Sequence, residues 1–538
     1  MAVHVEIRGD AAILTIDNPP VNVIGAKVRA GLMAGLDQAE AAGVSRVILT
    51  GSGANFVAGA DAREFGAPPV LPHLPDVLTR IETFRAPCIA AINGTALGGG
   101  LEIALACRYR IAVPGTTLGL PEVTLGVVPG AGGTQRLPRL IGMDAALDLI
   151  PQGKVINARQ AQKIGLVDQL DDDPLAAAQS LPSATLSERR PVSHRSVDAA
   201  SPEAIKAATA LARKRMAGQI APLAAIELVT LASGDLSDGL TRERDVFLQL
   251  RASEQASALR HVFFAERRAM SLGRSLGEQP TDITSAIVVG GGNMGASIAY
   301  ALAGVGVDVA LVETDEAAAA RAEENVKRLY AQAVYRGRMT AEQAEAACMA
   351  RFSFKVGYGD LPAAQIAIEA AFENMDVKRA IFRSLAAALP ETAILASNTA
   401  YLDVNKIAEG VANPGRIMGL HFFGPAHVMK LLEVVRADAT SEAALATALR
   451  LASRLRKMPV LAGVCDGFIG NRILTRYRQT TDIVMLMGAL PWDIDTAMRE
   501  FGFAMGPYEV QDLSGLDIAY ANRKRLGLKD KPGFRYIP

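Results

Sequence analysis

Three groups of residues in this 538-residue sequence have the types and spacing that chemistry requires. The first, Gly290-Gly291-Gly292-Asn293-Met294-Gly295, spells GxGxxG between an apolar run, 286–289, and a helix-like one, 296–303. Gly290, Gly292 and Gly295 let the backbone approach a pyrophosphate, and the N–H groups of a helix start, here at Asn293 and Met294, favour its charge. A second apolar run ends at Glu313, 18 residues past the last glycine. A carboxylate there accepts hydrogen bonds from ribose hydroxyls and repels a 2′-phosphate, so NAD rather than NADP is expected. The second group is His421, in the strand-like run 416–423, with Glu433 twelve residues on in a similar run. Oxidising an alcohol needs a base for the hydroxyl proton, and a buried carboxylate can fix the tautomer of a histidine base. A hydrogen-bonded core histidine beside an unrelated acid fits the same spacing. The third group comprises Phe56-Val57-Ala58-Gly59-Ala60-Asp61, the run Asn93 to Glu102 with Gly98-Gly99-Gly100, and Glu122. Amides at a helix start can hold an oxyanion, and paired carboxylates can activate water and deliver a proton. Glycines that mark tight packing and carboxylates that are surface charges fit equally well.

These residues need elements to hold them. Ala12–Ile16 alternates as a strand, 27–42 reads as a helix, and Arg46–Thr50 reads as a buried strand ending at Gly51. The alternation continues through 89–92 and 101–107, which is an α/β pattern. Asp171-Asp172-Asp173-Pro174 opens a stretch rich in Ser, Pro and Arg, and 171–202 is expected to be a linker with little structure of its own. Residues 203–270 read as helical, 277–284 as a polar connector, 286–461 as a second α/β unit, and 467 onward as helical again.

Composition narrows the classes. Lys+Arg and Asp+Glu number 56 each, so the net charge is zero, which gives no support for a nucleic acid partner or a charged membrane surface. Half the residues are apolar and 21% are charged, which excludes a mainly disordered chain. The most apolar stretch, 88–107, carries Asn93 and Glu102 and suits an enzyme core better than a membrane span. The four cysteines form no CxxC pair, and no metal-ligand spacing is present. With no signal peptide and no C-terminal SKL, a cytoplasmic protein is expected, or a peroxisomal one if the chain is eukaryotic and truncated.

Two resemblances then sharpen the reading. Residues 10–170, with the segments around Ala60, Gly99, Glu102 and Glu122 and the late AQKIGLVD, closely resemble the crotonase (enoyl-CoA hydratase/isomerase) family. The likeness implies an oxyanion hole from the amides of Ala60 and Gly99, with Glu102 and Glu122 handling the water and the α-proton. Δ3–Δ2 isomerisation is implied as a side activity. Residues 283–507, with GGGNMG, FENMDVK, SNT, GLHFFGPAHVMKLLEVV and DGFIGNRI, resemble the 3-hydroxyacyl-CoA dehydrogenase family. This implies His421 as base, Glu433 as its orienting partner, Asn471 at the substrate, and Glu373 and Asn398 near the nicotinamide. The family continues NTS where this chain has Asn398-Thr399-Ala400, so a weakened dehydrogenase is expected.

The order of the halves resembles the multifunctional β-oxidation enzymes. Their pattern implies four domains: a crotonase-like domain, 1–185; a linker and helical connector, 186–280; a doubly wound Rossmann domain, 281–462; and an all-α domain, 463–538. The substrates implied are acyl-CoA thioesters. Such chains usually continue with a second copy of the helical domain, and this sequence stops at Pro538, soon after the first, so a fragment or a truncated form is expected. The face so left open suggests self-association, and a thiolase is the other partner to expect. A hydratase/isomerase with an impaired dehydrogenase half is the alternative function.

Overall fold

The computed structural model describes residues 2–514 together with 516, 520, 524 and 527, so most of the chain's last stretch, including 528–538 of the expected all-α domain, lies outside the described residues. The chain divides into two compact units, Met1–Phe264 and Ala265–Pro538.

The first unit is built on a six-stranded sheet in the order Val3–Arg8, Ala11–Ile16, Arg46–Gly51, Cys88–Ile92, Tyr109–Ala112 and Gln169–Leu170. Only the first pair is antiparallel. The inner strands are buried on both faces, which is why their sequences read as unbroken apolar runs rather than alternating ones. A second sheet stacks the short strands Asn55–Val57, Thr95–Leu97, Thr117–Gly119 and Val155–Asn157. Gly51 and Gly94 make its close approach to the first sheet feasible: a Cβ on either would fall 2.1 Å or 2.0 Å from a backbone oxygen. The helices Pro202–Arg215, Ala221–Thr230 and Leu236–Arg251 add Ala212, Ala225, Val229 and Phe247 to the same core.

The stretch 171–202 corrects the sequence reading. It holds two short helices, Pro174–Ser180 and Ser183–Glu188, and is no bare linker. Ala178, Leu181 and Leu186 are buried against Ile48, Ile89 and Ile111 on the outer face of the first sheet. Arg46 extends from that sheet and donates to the carbonyls of Gln179 (3.1 Å) and Leu181 (2.6 Å). A few well-spaced apolar side chains and satisfied backbone groups order a segment that is polar on average.

The second unit is an eight-stranded sheet in the order Phe352–Val356, Asp308–Glu313, Ser285–Val289, Ile366–Glu369, Ile394–Ser397, Ile417–Phe422, Leu431–Arg436 and Met458–Gly463. The first six strands are parallel, and the last two run the other way. The order reverses between Ser285–Val289 and Ile366–Glu369. This switch point opens a crevice at the carboxyl ends of the strands, where doubly wound sheets bind ligands. The helices Gly470–Leu486, Pro491–Phe501 and Pro507–Ser514 follow the last strand. Among the described residues, no helix is long and apolar enough to cross a membrane.

Candidate active sites in the two units

In the first unit, a cavity of about 170 Å³ is lined by Ala60, Gly99, Glu102, Glu122, Arg244 and Phe247 among others. The structure thus brings together the four residues singled out in this half. Ala60 pairs with Ile24 in an isolated parallel bridge, and Gly99 opens the helix Gly99–Ala106. A Cβ on Gly99 would lie 3.8 Å from the Ala60 amide nitrogen, so the two backbone segments run close together at the cavity. Gly98 has φ +51°, and its Cβ would fall 2.9 Å from Glu122 Oε1, so only glycine allows this turn to run beside the carboxylate.

The two carboxylates differ in environment. Glu102 lies one turn into its helix, is buried, and accepts at Oε1 from the amides of Ala131 and Gly133, both 2.9 Å away. Burial pushes its carboxyl above the usual range, and those two donors offset only part of the rise. Glu122 has a buried Oε2 with no hydrogen-bond partner in the structure. Burial, then the charge of Glu102, pushes its carboxyl well above the usual range. A carboxyl held by amides beside a neutral acid can activate a water and deliver a proton, the two titrating as a unit.

In the second unit, Gly290 has φ +93°, and its Cβ would fall 2.8 Å from the Ala370 carbonyl oxygen. A Cβ on Gly295 would lie 1.7 Å from the Gly290 oxygen, where helix and strand pack closely. Gly292, by contrast, has nothing within 4 Å of such a Cβ. The first and third glycines therefore serve the fold, and the second leaves room for a phosphate group at the start of the eleven-residue helix Asn293–Ala303. Glu313, at the end of the neighbouring strand, accepts from the Gly291 amide at 2.5 Å. These residues fit a dinucleotide. The loop also has partners that the motif does not reveal: Asn325 Nδ2 donates to the Gly291 carbonyl (2.9 Å), and Arg328 donates to Asn293 Oδ1 (3.1 Å).

His421 and Glu433 face each other directly across the one antiparallel pair of this sheet, which puts both side chains on the same face. Nδ1 of His421 lies 2.6 Å from Glu433 Oε2. An ionised carboxylate only accepts, so Nδ1 carries the proton and the Nε2 lone pair is left able to accept one. Glu433 is fully buried, and its Oε1 accepts the amides of Ile469 (2.9 Å) and Gly470 (2.8 Å). Burial would raise its carboxyl, but the His421 contact and these amides outweigh that and hold it below the usual range. Asn471 stands in the first turn of the same helix.

The remaining candidates join this neighbourhood. Met294 Sδ would lie 3.2 Å from a Cβ on Gly424, in the loop after the histidine strand. Asn398 Oδ1 accepts the Phe422 amide (2.8 Å), and the Asn398 amide donates to the Glu369 carbonyl (2.7 Å) at the switch point. Glu373 Oε1 accepts from Thr399 Oγ1 (2.6 Å) and from the amides of Ala400 (2.9 Å) and Tyr401 (3.1 Å), and Oε2 pairs with Lys378 at 3.3 Å. Burial works against the ionised Glu373, but Lys378 and these donors hold it below the usual range. Behind it, buried Lys378 bonds both oxygens of Glu369 (2.7 and 2.9 Å), a pair that sequence reasoning missed. The spacing of Lys378 three residues after Met375 in an amphipathic helix, one of its buried positions, was the available signal.

Comparison with known proteins agrees with this geometry. The enoyl-CoA hydratase/isomerase family profile matches residues 6–217. The NAD-binding domain of 3-hydroxyacyl-CoA dehydrogenase matches 285–465, and the C-terminal domain of that enzyme matches 467–537. A peroxisomal bifunctional enzyme of Danio rerio is 39% identical over 100% of this chain and 77% of its own length. The peroxisomal bifunctional enzyme of Homo sapiens is 36% identical over 98% of this chain and 75% of its own. A peroxisomal fatty acid beta-oxidation multifunctional protein of Arabidopsis thaliana is 35% identical over 97% and 75%. Two sites of different chemistry on one chain, each inside its matching profile, have one reading: the chain belongs to the bifunctional enoyl-CoA hydratase and NAD-dependent 3-hydroxyacyl-CoA dehydrogenase family of fatty acid β-oxidation.

Proposed function

We propose that the first unit hydrates 2-trans-enoyl-CoA to 3-hydroxyacyl-CoA and that the second oxidises this product to 3-ketoacyl-CoA. The observation that carries the reading is the meeting of Ala60, Gly99, Glu102 and Glu122 around one cavity. In hydration, the Glu102 carboxylate takes a proton from water as its oxygen bonds to C3 of the enoyl chain. Electrons move to the thioester oxygen, where the amides of Ala60 and Gly99 hold the developing charge. The Glu122 carboxylic acid then gives its proton to C2, and the proton gained by Glu102 restores the pair. The same enolate supports Δ3–Δ2 isomerisation as a side activity.

In the second unit, Gly290, Gly292, Gly295 and the amides of Asn293 and Met294 would hold the pyrophosphate of NAD, and Glu313 its ribose hydroxyls. NAD held there would supply the acceptor for the hydride of C3. His421 Nε2 takes the proton of the 3-hydroxyl, and Glu433 stabilises the imidazolium formed. Glu373 holds the 399–401 turn, Asn398 ties that turn to the histidine strand, and Asn471 meets the substrate from the helical side. The test is one cuvette with crotonyl-CoA, NAD and a trap for the 3-ketoacyl-CoA product, read for enoyl loss and NADH formation. Both signals are expected, and enoyl loss without NADH would leave the dehydrogenase half unsupported.

Ala400 stands where the family's pattern has serine, so a hydroxyl that could bond the substrate is missing. Ala400→Ser is expected to raise kcat/KM for 3-hydroxyacyl-CoA roughly fivefold, the worth of one hydrogen bond of about 1 kcal/mol, with KM for NAD unchanged. An unchanged kcat/KM in steady-state assays would remove Ala400 from the account.

The product, a 3-ketoacyl-CoA, is what a thiolase cleaves, which supports a thiolase as partner. Self-association is supported by Met487, Trp492 and Phe501, large apolar side chains exposed on the C-terminal helices. For location, the peroxisomal names of the relatives favour the second of the two expectations over a cytoplasmic one.

A further inference from the structure

The loop Gly130–Thr134 hangs between two carboxylates, and only one of them belongs to the catalytic pair. The amides of Ala131 and Gly133 point to Glu102. The alternate amides, of Gly132 and Thr134, point the other way, to Glu243 on the helix Leu236–Arg251. Thr134 N–H lies 2.7 Å from Glu243 Oε2, and the Thr134 hydroxyl donates to the same oxygen at 2.5 Å. The alternation needs Gly132, whose φ of +104° lies in the left-handed region and whose Cβ would fall 1.8 Å from Arg136 Nη1. Arg136 fixes the loop from a third side: it donates to the Ala131 carbonyl (2.9 Å) and pairs with buried Glu82 (2.8 Å).

We propose that Glu243 is a positioning residue of the hydration site: by holding the Gly132 and Thr134 amides it aims those of Ala131 and Gly133 at Glu102. The inference rests on the reading of Glu102 as a working carboxylate. Glu243 is 1% exposed, and no solvent shares its charge. The two oxygens of Glu243 accept from three donors, where a Gln side chain would offer one acceptor oxygen and an N–H group in place of the other. The charged groups around it are Glu102 and Glu122 on the cavity side, Arg244 beside it on its own helix, and Arg136 beneath the loop. Burial, then the charge of Glu102, pushes Glu243 up to about 8, and Glu243 in turn raises Glu122. The three carboxylates therefore titrate together.

Three measurements on the full chain test the proposal. Glu243→Gln should lower the kcat of crotonyl-CoA hydration at least tenfold with KM within twofold. Glu243 ionises at about 8, so its charge is present on the alkaline limb of the kcat–pH profile, and removing it should shift that limb to lower pH because Glu122 then loses its proton more easily. The NAD-dependent oxidation of 3-hydroxybutyryl-CoA by the same sample should be unchanged, and Glu243→Asp should recover part of the loss. Wild-type kcat and pH profile in E243Q overturn the proposal, and so does a loss shared equally by both activities. If E243Q has no cooperative melt, Thr134→Val, which removes one donor, takes its place: a lowered hydration kcat with a shifted pH profile is expected, and an unchanged profile overturns the proposal. Glu102→Gln separates the layers. Hydration by E102Q at the wild-type rate refutes the site reading itself, whereas an inactive E102Q beside a fully active E243Q refutes only the role of Glu243.

Discussion

Glu122→Gln is expected to lower the kcat for crotonyl-CoA hydration by about 10³-fold or more, while oxidation of 3-hydroxybutyryl-CoA stays within about twofold. The carboxylic acid of Glu122 is the proton donor to C2 in the proposed mechanism, and an amide of the same shape has no proton to give. The same substitution has a stability signature of the opposite sign. The Glu122 carboxyl is raised in the folded chain, so folding favours its neutral form. That contribution is complete below the usual carboxylate range and is lost as pH rises through the folded value. E122Q never ionises and escapes this loss, so the first unit of the variant should melt at the same temperature as wild type or higher at alkaline pH. An E122Q protein that hydrates at near wild-type rate, or that is inactive only because it melts earlier, would sink the assignment.

The second large effect belongs to the other unit. His421→Ala should reduce NADH formation from 3-hydroxybutyryl-CoA by about 10³-fold, the worth of a positioned base, and leave hydration intact. NAD affinity, measured by fluorescence or calorimetry, should change little, because the glycine loop and Glu313 lie on other strands. Removing His421 also leaves Glu433 without its partner, but the Ile469 and Gly470 amides still hold its charge, so the fold should survive. Loss of both activities in H421A would show that the two sites are not separate.

What the sequence shows and what it hides divide along a physical line. The GxGxxG loop is legible because each glycine answers a local demand: a positive φ at Gly290, contact at Gly295 and open space at Gly292. His421 and Glu433 are legible as candidates, but their pairing depends on which strands neighbour each other, and spacing alone left a core histidine as an equal reading. The sheet makes them direct partners because Ile417–Phe422 and Leu431–Arg436 are the antiparallel pair. Glu102 and Glu122 show in the sequence, yet their different environments come from the loop at 131–133 and from an oxygen left without a partner. Glu243 escapes sequence reasoning altogether. It sits among Arg242, Arg244 and Asp245, where a carboxylate reads as one more solvated charge. Its donors lie 109 and 111 residues upstream, beyond any local pattern. The stretch 171–202 was misread for the related reason that average polarity conceals the few positions, Ala178 and Leu186 among them, that do the packing.

The anchoring of both acid–base centres by later chain has a consequence for synthesis on the ribosome. When residue 185 has been added, Ala60, Gly99, Glu102 and Glu122 have all been translated, but the carboxylate that takes the Gly132 and Thr134 amides has not. In the second half, His421 and Glu433 can pair as soon as their strands meet, yet the amides that hold Glu433 arrive 36 and 37 residues later. The glycine loop gains Glu313 with its neighbouring strand and Asn325 and Arg328 from the helix that follows. A nascent chain therefore holds every partner of the first unit's carboxylates by residue 243, before any of the glycine loop is made, whereas the His421–Glu433 pair has its last donor only at residue 470.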